Sequence, residues 1–87
     1  ITSNLSNPFR DQTTIEFSLK GPQNVVIEIF TPSGRLVKSE SLEADAGMNS
    51  FTWNGEDQSG RLVPPALYLC RIKAESFEEV IKLIHIK

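Results

Sequence analysis

The side chains best suited to covalent or acid–base chemistry are one histidine, His85, and one cysteine, Cys70. A nucleophile needs a base within hydrogen-bond reach, and the base needs a group to orient it. The two would meet only if the strands carrying them pair. The simpler expectation is a structural thiol and a half-exposed histidine, with no catalytic residue and no enzymatic activity. Asn54, Glu56 and Asp57 collect oxygen ligands in a loop that also holds Gly55 and Gly60, the raw material of a calcium site. The D-x-[DN]-x-[DN]-G spacing is missing, however, and Asx residues beside glycine are what a tight loop uses. One Cys and one His cannot complete a zinc site. Neither glycine leads from a strand into a helix, so no phosphate cradle is expected. No metal and no cofactor follow from these residues.

The frame that must position these residues is small. The chain has 87 residues, room for one domain at roughly 100–150 residues each. Such a domain buries only about 60–65% of its unfolded surface, which leaves little core in which to carve a deep substrate cavity. Hydrophobic residues are 39% and charged residues 23%, a globular balance that excludes a disordered tail and an apolar membrane span. Nine basic against eleven acidic residues give a net charge of −2, without the basic excess of a nucleic-acid binder. The basic side chains are scattered among acids, and no amphipathic helix offers a membrane handle. A single cysteine cannot staple the fold internally and leaves the compartment open.

Short runs of β-branched and aromatic residues recur about every ten residues between Gly, Pro, Ser and Asn clusters, the pattern of an all-β domain. Thr13 to Leu19 alternates, with Ile15, Phe17 and Leu19 on one face. Val25 to Phe30 places Val25, Ile27 and Ile29 inward and Phe30 outward. Thr31-Pro32-Ser33-Gly34 is a turn in which Pro32 presets φ and Gly34 takes a positive one. Arg35 to Ser39 continues as a mixed strand, followed by a looser stretch from Ser41 to Gly47. Asn49 to Trp53 puts Phe51 and Trp53 on one face. A polar loop from Asn54 to Gly60 precedes a brief strand at Arg61-Leu62-Val63, which Pro64-Pro65 interrupts. Leu67 to Ala74 reads as a central strand with Tyr68, Cys70 and Ile72 inward. In Glu79 to Lys87, Val80, Ile84 and Ile86 compete with Ile81 and Leu83 for the inner face. About seven strands in this length fit an immunoglobulin-like antiparallel two-sheet sandwich. The chain opens at Ile1 without a leader pattern and reads as a piece of a longer protein, residues 1–6 linking an upstream cargo to a domain over 7–87.

The order of motifs carries a resemblance. Asn7-Pro8-Phe9 precedes the alternating first strand. The Ile29-to-Val37 hairpin, Ala46-Gly47, and the Phe51-to-Arg61 segment with Trp53-Asn54-Gly55-Glu56-Asp57-Gln58-Ser59-Gly60 follow. Leu67-Tyr68-Leu69-Cys70-Arg71-Ile72 and Lys82-Leu83-Ile84-His85-Ile86-Lys87 close the chain. This series resembles the type A C-terminal sorting domain of the type IX secretion system, and is similar to the immunoglobulin-like domain of the flagellar hook-capping protein. It departs from the sorting family at Pro65-Ala66-Leu67-Tyr68, where a glycine usually precedes the tyrosine. The resemblance implies a domain that folds in the periplasm, is read by the type IX translocon and its shuttle proteins, and carries its cargo to the cell surface or medium. A surface sortase then usually removes it. The implied recognition positions are Asn7, Pro8, Gly34, Gly47, Gly60, Tyr68 and Lys82, with Ile84, Ile86 and Lys87 of the closing strand. Two alternatives are kept: a structural spacer or assembly module of the hook-capping type, and an accessory module of a secreted hydrolase. The last would need exposed aromatics, for which only Phe9, Phe30, Trp53 and Phe77 are available.

Overall fold

The computed structural model describes residues 2–4 and 8–86, the first three by backbone alone. Seven strands appear among them: β1 (Thr2–Asn4), β2 (Thr13–Leu19), β3 (Gln23–Phe30), β4 (Leu36–Ala44), β5 (Gly47–Trp53), β6 (Ala66–Ala74) and β7 (Glu78–His85). They form a three-stranded sheet in the order β1-β2-β5 and a four-stranded sheet in the order β4-β3-β6-β7, every pairing antiparallel. The chain changes sheet between β2 and β3, β4 and β5, and β5 and β6. This is the immunoglobulin-like sandwich that the alternation predicts.

The core forms where the two inner faces meet. Ile15, Phe17 and Leu19 of β2 and Phe51 and Trp53 of β5 meet Val25, Ile27 and Ile29 of β3, Tyr68, Cys70 and Ile72 of β6, and Leu83 of β7. The period-2 pattern places each of these inward, and burying a large apolar side chain is worth about 1.5–3 kcal/mol. β6 lies between β3 and β7, as its apolar run requires. The closing strand resolves its own ambiguity through register. Tyr68 pairs with Leu83 and Cys70 with Ile81, so Leu83 is fully buried and Ile81 packs on the core. Val80, Ile84 and Ile86 are left exposed.

Three expectations are corrected. β4 runs to Ala44 through the stretch expected to be loose, because its backbone pairs with β3 from Leu36 to Ala44 whatever its polar side chains do. Leu42 is partly buried against the core and Ala44 is buried within it. A bulge at Val37, where Phe30 pairs with Leu36 and Ile29 with Lys38, turns Val37 toward the core. Arg61-Leu62-Val63 is no strand. It makes a single bridge between Leu62 and Glu56, because Pro64 and Pro65 have no N–H with which to extend a ladder. Within the stretch expected to be a linker, Thr2–Asn4 pairs with β2, Thr2 opposite Phe17 and Asn4 opposite Ile15; a short edge strand needs only backbone groups to do this.

Candidate functional site at the closing strand

Motif positions from the two ends of the series meet in space. Pro8 supplies no N–H, and the next residue, Phe9, lies parallel to β7. The Phe9 N–H donates to the Ile84 carbonyl (2.9 Å), and the Ile86 N–H donates to the Phe9 carbonyl (2.8 Å). The start of the domain therefore covers the outer edge of β7 along Ile84–Ile86. The Phe9 ring is buried. It stands edge-on to Trp53 at 5.6 Å and stacks on His85 at 5.0 Å, while Trp53 meets Tyr68 edge-on at 5.2 Å. These separations suit favourable aromatic pairing. The polar ends of the cluster are satisfied by main chain: the Trp53 indole N–H donates to the Glu56 carbonyl (2.9 Å), and the Tyr68 hydroxyl to the Pro64 carbonyl (2.6 Å). His85 Nε2 faces the Arg10 carbonyl at 3.1 Å. Since a carbonyl only accepts, Nε2 carries the proton, leaving Nδ1 buried without a partner. Gly55 lies against this ring, where a Cβ would stand 3.4 Å from His85 Cε1 and Nε2, and its φ of 75° is the left-handed conformation that favours glycine.

The outward face of the four-stranded sheet is mixed. One row across it runs Leu36, Phe30, Leu69 and Lys82. The next runs Glu28, Arg71 and Val80, and Leu67 stands beside Ile84. Arg71 donates through Nε to Glu28 Oε1 (2.9 Å), with its Nη2 at 2.8 Å from the same oxygen, and lies 5.5 Å from the centre of the Phe30 ring. Phe30 is thereby half-covered, while Val80 (51% exposed) and Ile84 (40%) stay open beside exposed Lys82.

The sequence matches the FlgD Ig-like domain over residues 3–77. The chain belongs to that family. No curated protein matches it. Among solved structures, this FlgD Ig-like domain is similar to dimeric latent PorU from Porphyromonas gingivalis (TM-score 0.76, 22% identity, 98% of this chain and 9% of that one). It is also similar to FlgD from P. aeruginosa (TM-score 0.63, 24% identity, 93% of this chain and 63% of that one). A third likeness is to FlgD from Xanthomonas campestris, a structure described for the hook capping essential to flagellar assembly (TM-score 0.63, 19% identity, 93% and 60%). The chain spans less than two thirds of each of these proteins.

Within this FlgD Ig-like domain, the remaining positions singled out from sequence fall in three places. Gly34 and Gly60 close tight turns with φ of 95° and 87°, Gly47 opens β5 on the opposite sheet, and Tyr68 is core. Pro8, Lys82, Ile84 and Ile86 gather at the closing strand, while Asn7 and Lys87 lie outside the described residues. Phe9 and His85 are the contributors that sequence reasoning undervalued. Their signal was the apolar residue after Pro8 and an aromatic-compatible histidine in an apolar strand.

Cys70 and His85 do not meet. Cys70 pairs with Ile81 and His85 with Ala66, an offset of four residues or about 13 Å along the strand. The Asp57 carboxylate is occupied as a turn acceptor, and among the described residues no three His, Cys, Asp or Glu side chains gather to hold a metal. Trp53 and Phe9 are buried, Phe30 lies beside Arg71 and Phe77 packs against the core, so the open aromatic platform of a hydrolase accessory module is missing among these residues.

Burial pushes the Cys70 thiol up to about 12 and raises the Tyr68 hydroxyl as well. The thiol ionises more readily in the unfolded chain, so its contribution to stability is intact below pH 9.0, its ordinary value, and is lost as the pH climbs toward 12. Urea unfolding should show stability falling by up to about 1.4 kcal/mol per pH unit on this account. Cys70→Ala should flatten the fall; an unchanged slope would contradict the assignment.

Proposed function

We propose that the chain is a non-catalytic module, FlgD-like in build, that serves a larger protein by being recognised at its closing strand. The observation that carries this reading is the position of β7. It is latched to the start of the domain by Phe9 and turns Val80, Lys82 and Ile84 outward at the margin of the four-stranded sheet. A strand so placed offers a partner a fixed row of side chains beside a sheet edge. The family match speaks most directly for one form of this role, a structural spacer or assembly module of the hook-capping type.

The second form is a C-terminal sorting domain that directs attached cargo through the type IX translocon, with a surface sortase cutting upstream and the domain as that enzyme's substrate. It is supported by the motif order from Asn7 to Lys87. It is also supported by the location of the closing motif in β7, beyond residue 77, where the family match stops. Its location would be the periplasm in transit and then the cell surface or medium. Fusing residues 1–87 to the C-terminus of a periplasmic fluorescent reporter separates the two forms. In a host with an active type IX system, the sorting form predicts reporter outside the cell, and reporter held in the periplasm in the translocon-deficient mutant. Retention in both strains would leave the assembly module as the account.

A further inference from the structure

A second surface lies at the opposite margin of the same sheet, beside β4. Two turns face each other there. The first is closed by the Gly34 N–H donating to the Thr31 carbonyl (2.8 Å), with the Arg35 N–H donating to Thr31 Oγ1 (3.1 Å). In the second, Asp57 Oδ1 accepts from the Ser59 N–H (2.9 Å), the Ser59 hydroxyl (2.8 Å) and the Arg61 N–H (3.0 Å). Gln58 ties this turn to β4: its N–H donates to the Val37 carbonyl (3.1 Å), and its Oε1 accepts from the Ser39 N–H (2.8 Å). Between the turns lies a cleft of about 400 Å³ with Tyr68 in its lining, within the size range of ligand sites. Three positions far apart in sequence, Gly34, Gly60 and Tyr68, thus shape one feature.

The lining has a definite chemistry. Arg35 and Arg61 stand at the exits of the two turns, both exposed, and neither makes an ion pair among the described residues. The one carboxylate in the cleft, Asp57, is held below the usual carboxylate range chiefly by the Ser59 hydroxyl and then by the Arg61 N–H, with the Arg61 charge the smallest cause. It therefore stays ionised and offsets part of the positive charge, so that the lining, with Arg35 and Arg61 against this one carboxylate, keeps a positive balance. Leu36 (55% exposed) and Leu62 (76%) also line the cleft. Single exposed leucines are ordinary. Two of them in one cleft with two exposed guanidinium groups outside any ion pair among the described residues, on a chain of net charge −2, make a local site of opposite sign to the whole.

We infer that this cleft binds an acidic peptide segment, with carboxylates on Arg35 and Arg61 and a large apolar side chain between Leu36 and Leu62. Arginine suits the task because its planar fork can hold a carboxylate through two parallel hydrogen bonds. The site is independent of the closing-strand reading and stands or falls separately.

The probe is a fluorescein-labelled Glu-Leu-Glu-Leu-Glu peptide followed by anisotropy, with Lys-Leu-Lys-Leu-Lys and Glu-Ser-Glu-Ser-Glu as comparisons. Saturable binding of the first is expected, weakening with added salt, and little binding of the other two. Arg35→Gln and Arg61→Gln should each weaken it by about threefold to fivefold, the scale of an exposed charge pair, while Arg10→Gln should leave it unchanged. Amide shift changes in the unmodified domain, confined to the 31–37 and 57–63 segments, would locate the site without any substitution. Equal binding of the lysine peptide, shifts elsewhere, or the absence of saturable binding would overturn the proposal.

Discussion

Phe9→Ala should lower the unfolding free energy by about 3–5 kcal/mol, the usual cost of removing a buried aromatic ring. The ring is 3% exposed and fills the space between Trp53 and His85, so truncation opens a cavity walled by two other rings. Its effect extends beyond the cavity. The Phe9 main chain holds the Ile84 carbonyl and the Ile86 N–H, and a backbone no longer anchored by its side chain should hold them less well. Urea unfolding measures the first effect, and amide exchange at Ile86, expected to quicken markedly, measures the second. A small domain has about 5–15 kcal/mol in total, so the variant should lie near the limit of folding. A loss under about 1 kcal/mol, with exchange at Ile86 unchanged, would mean that the segment after Pro8 is not the latch of β7.

How legible this fold was in the sequence differs from element to element, for physical reasons. β2 and β3 were readable because each buries one face of a sheet, which writes itself as strict alternation of Ile, Phe, Leu and Val with polar residues. β6 was readable as central because it is apolar on both faces. The second half of β4 was not, since an edge strand is held by backbone bonds to β3 and places few demands on its side chains. The inner face of β7 was undecidable for the opposite reason: both of its faces are apolar, and only the pairing of Tyr68 with Leu83 settles the matter.

The site was legible in part. The turn glycines Gly34 and Gly60 announce themselves through Pro, Ser and Asp neighbours, and both take the positive φ that those turns require. That the turns they close border one cleft follows from sheet order and from Gln58 bridging to β4, which no local pattern encodes. The contact between Phe9 and β7 spans nearly the whole chain. The sequence shows an apolar residue after Pro8 and a strand at the far end, and nothing local says that they touch. Cys70 and His85 illustrate the converse: neighbouring strands do carry them, but the register sets them apart.

The second large effect concerns recognition. Deleting Val80 to Lys87 would also remove Leu83, which is fully buried, and strip β6 of one of its two partners, so a truncation reads folding as much as recognition. Val80→Ser/Ile84→Ser avoids this, because both side chains project from the outer face and are exposed. The double variant should keep its thermal midpoint within a few degrees of the parent, as surface substitutions usually change stability by about 0.5 kcal/mol or less. On the sorting reading, the exported fraction of the reporter fusion should fall by about tenfold or more, the scale on which loss of central contact residues acts.

The most direct test is therefore fractionation of that reporter, carried by the parent domain and by Val80→Ser/Ile84→Ser, in a host with an active type IX system. On the sorting form, recognition at the closing strand predicts parent reporter outside the cell and variant reporter trapped in the periplasm as a folded domain. Export of the variant at the parent's level would contradict it.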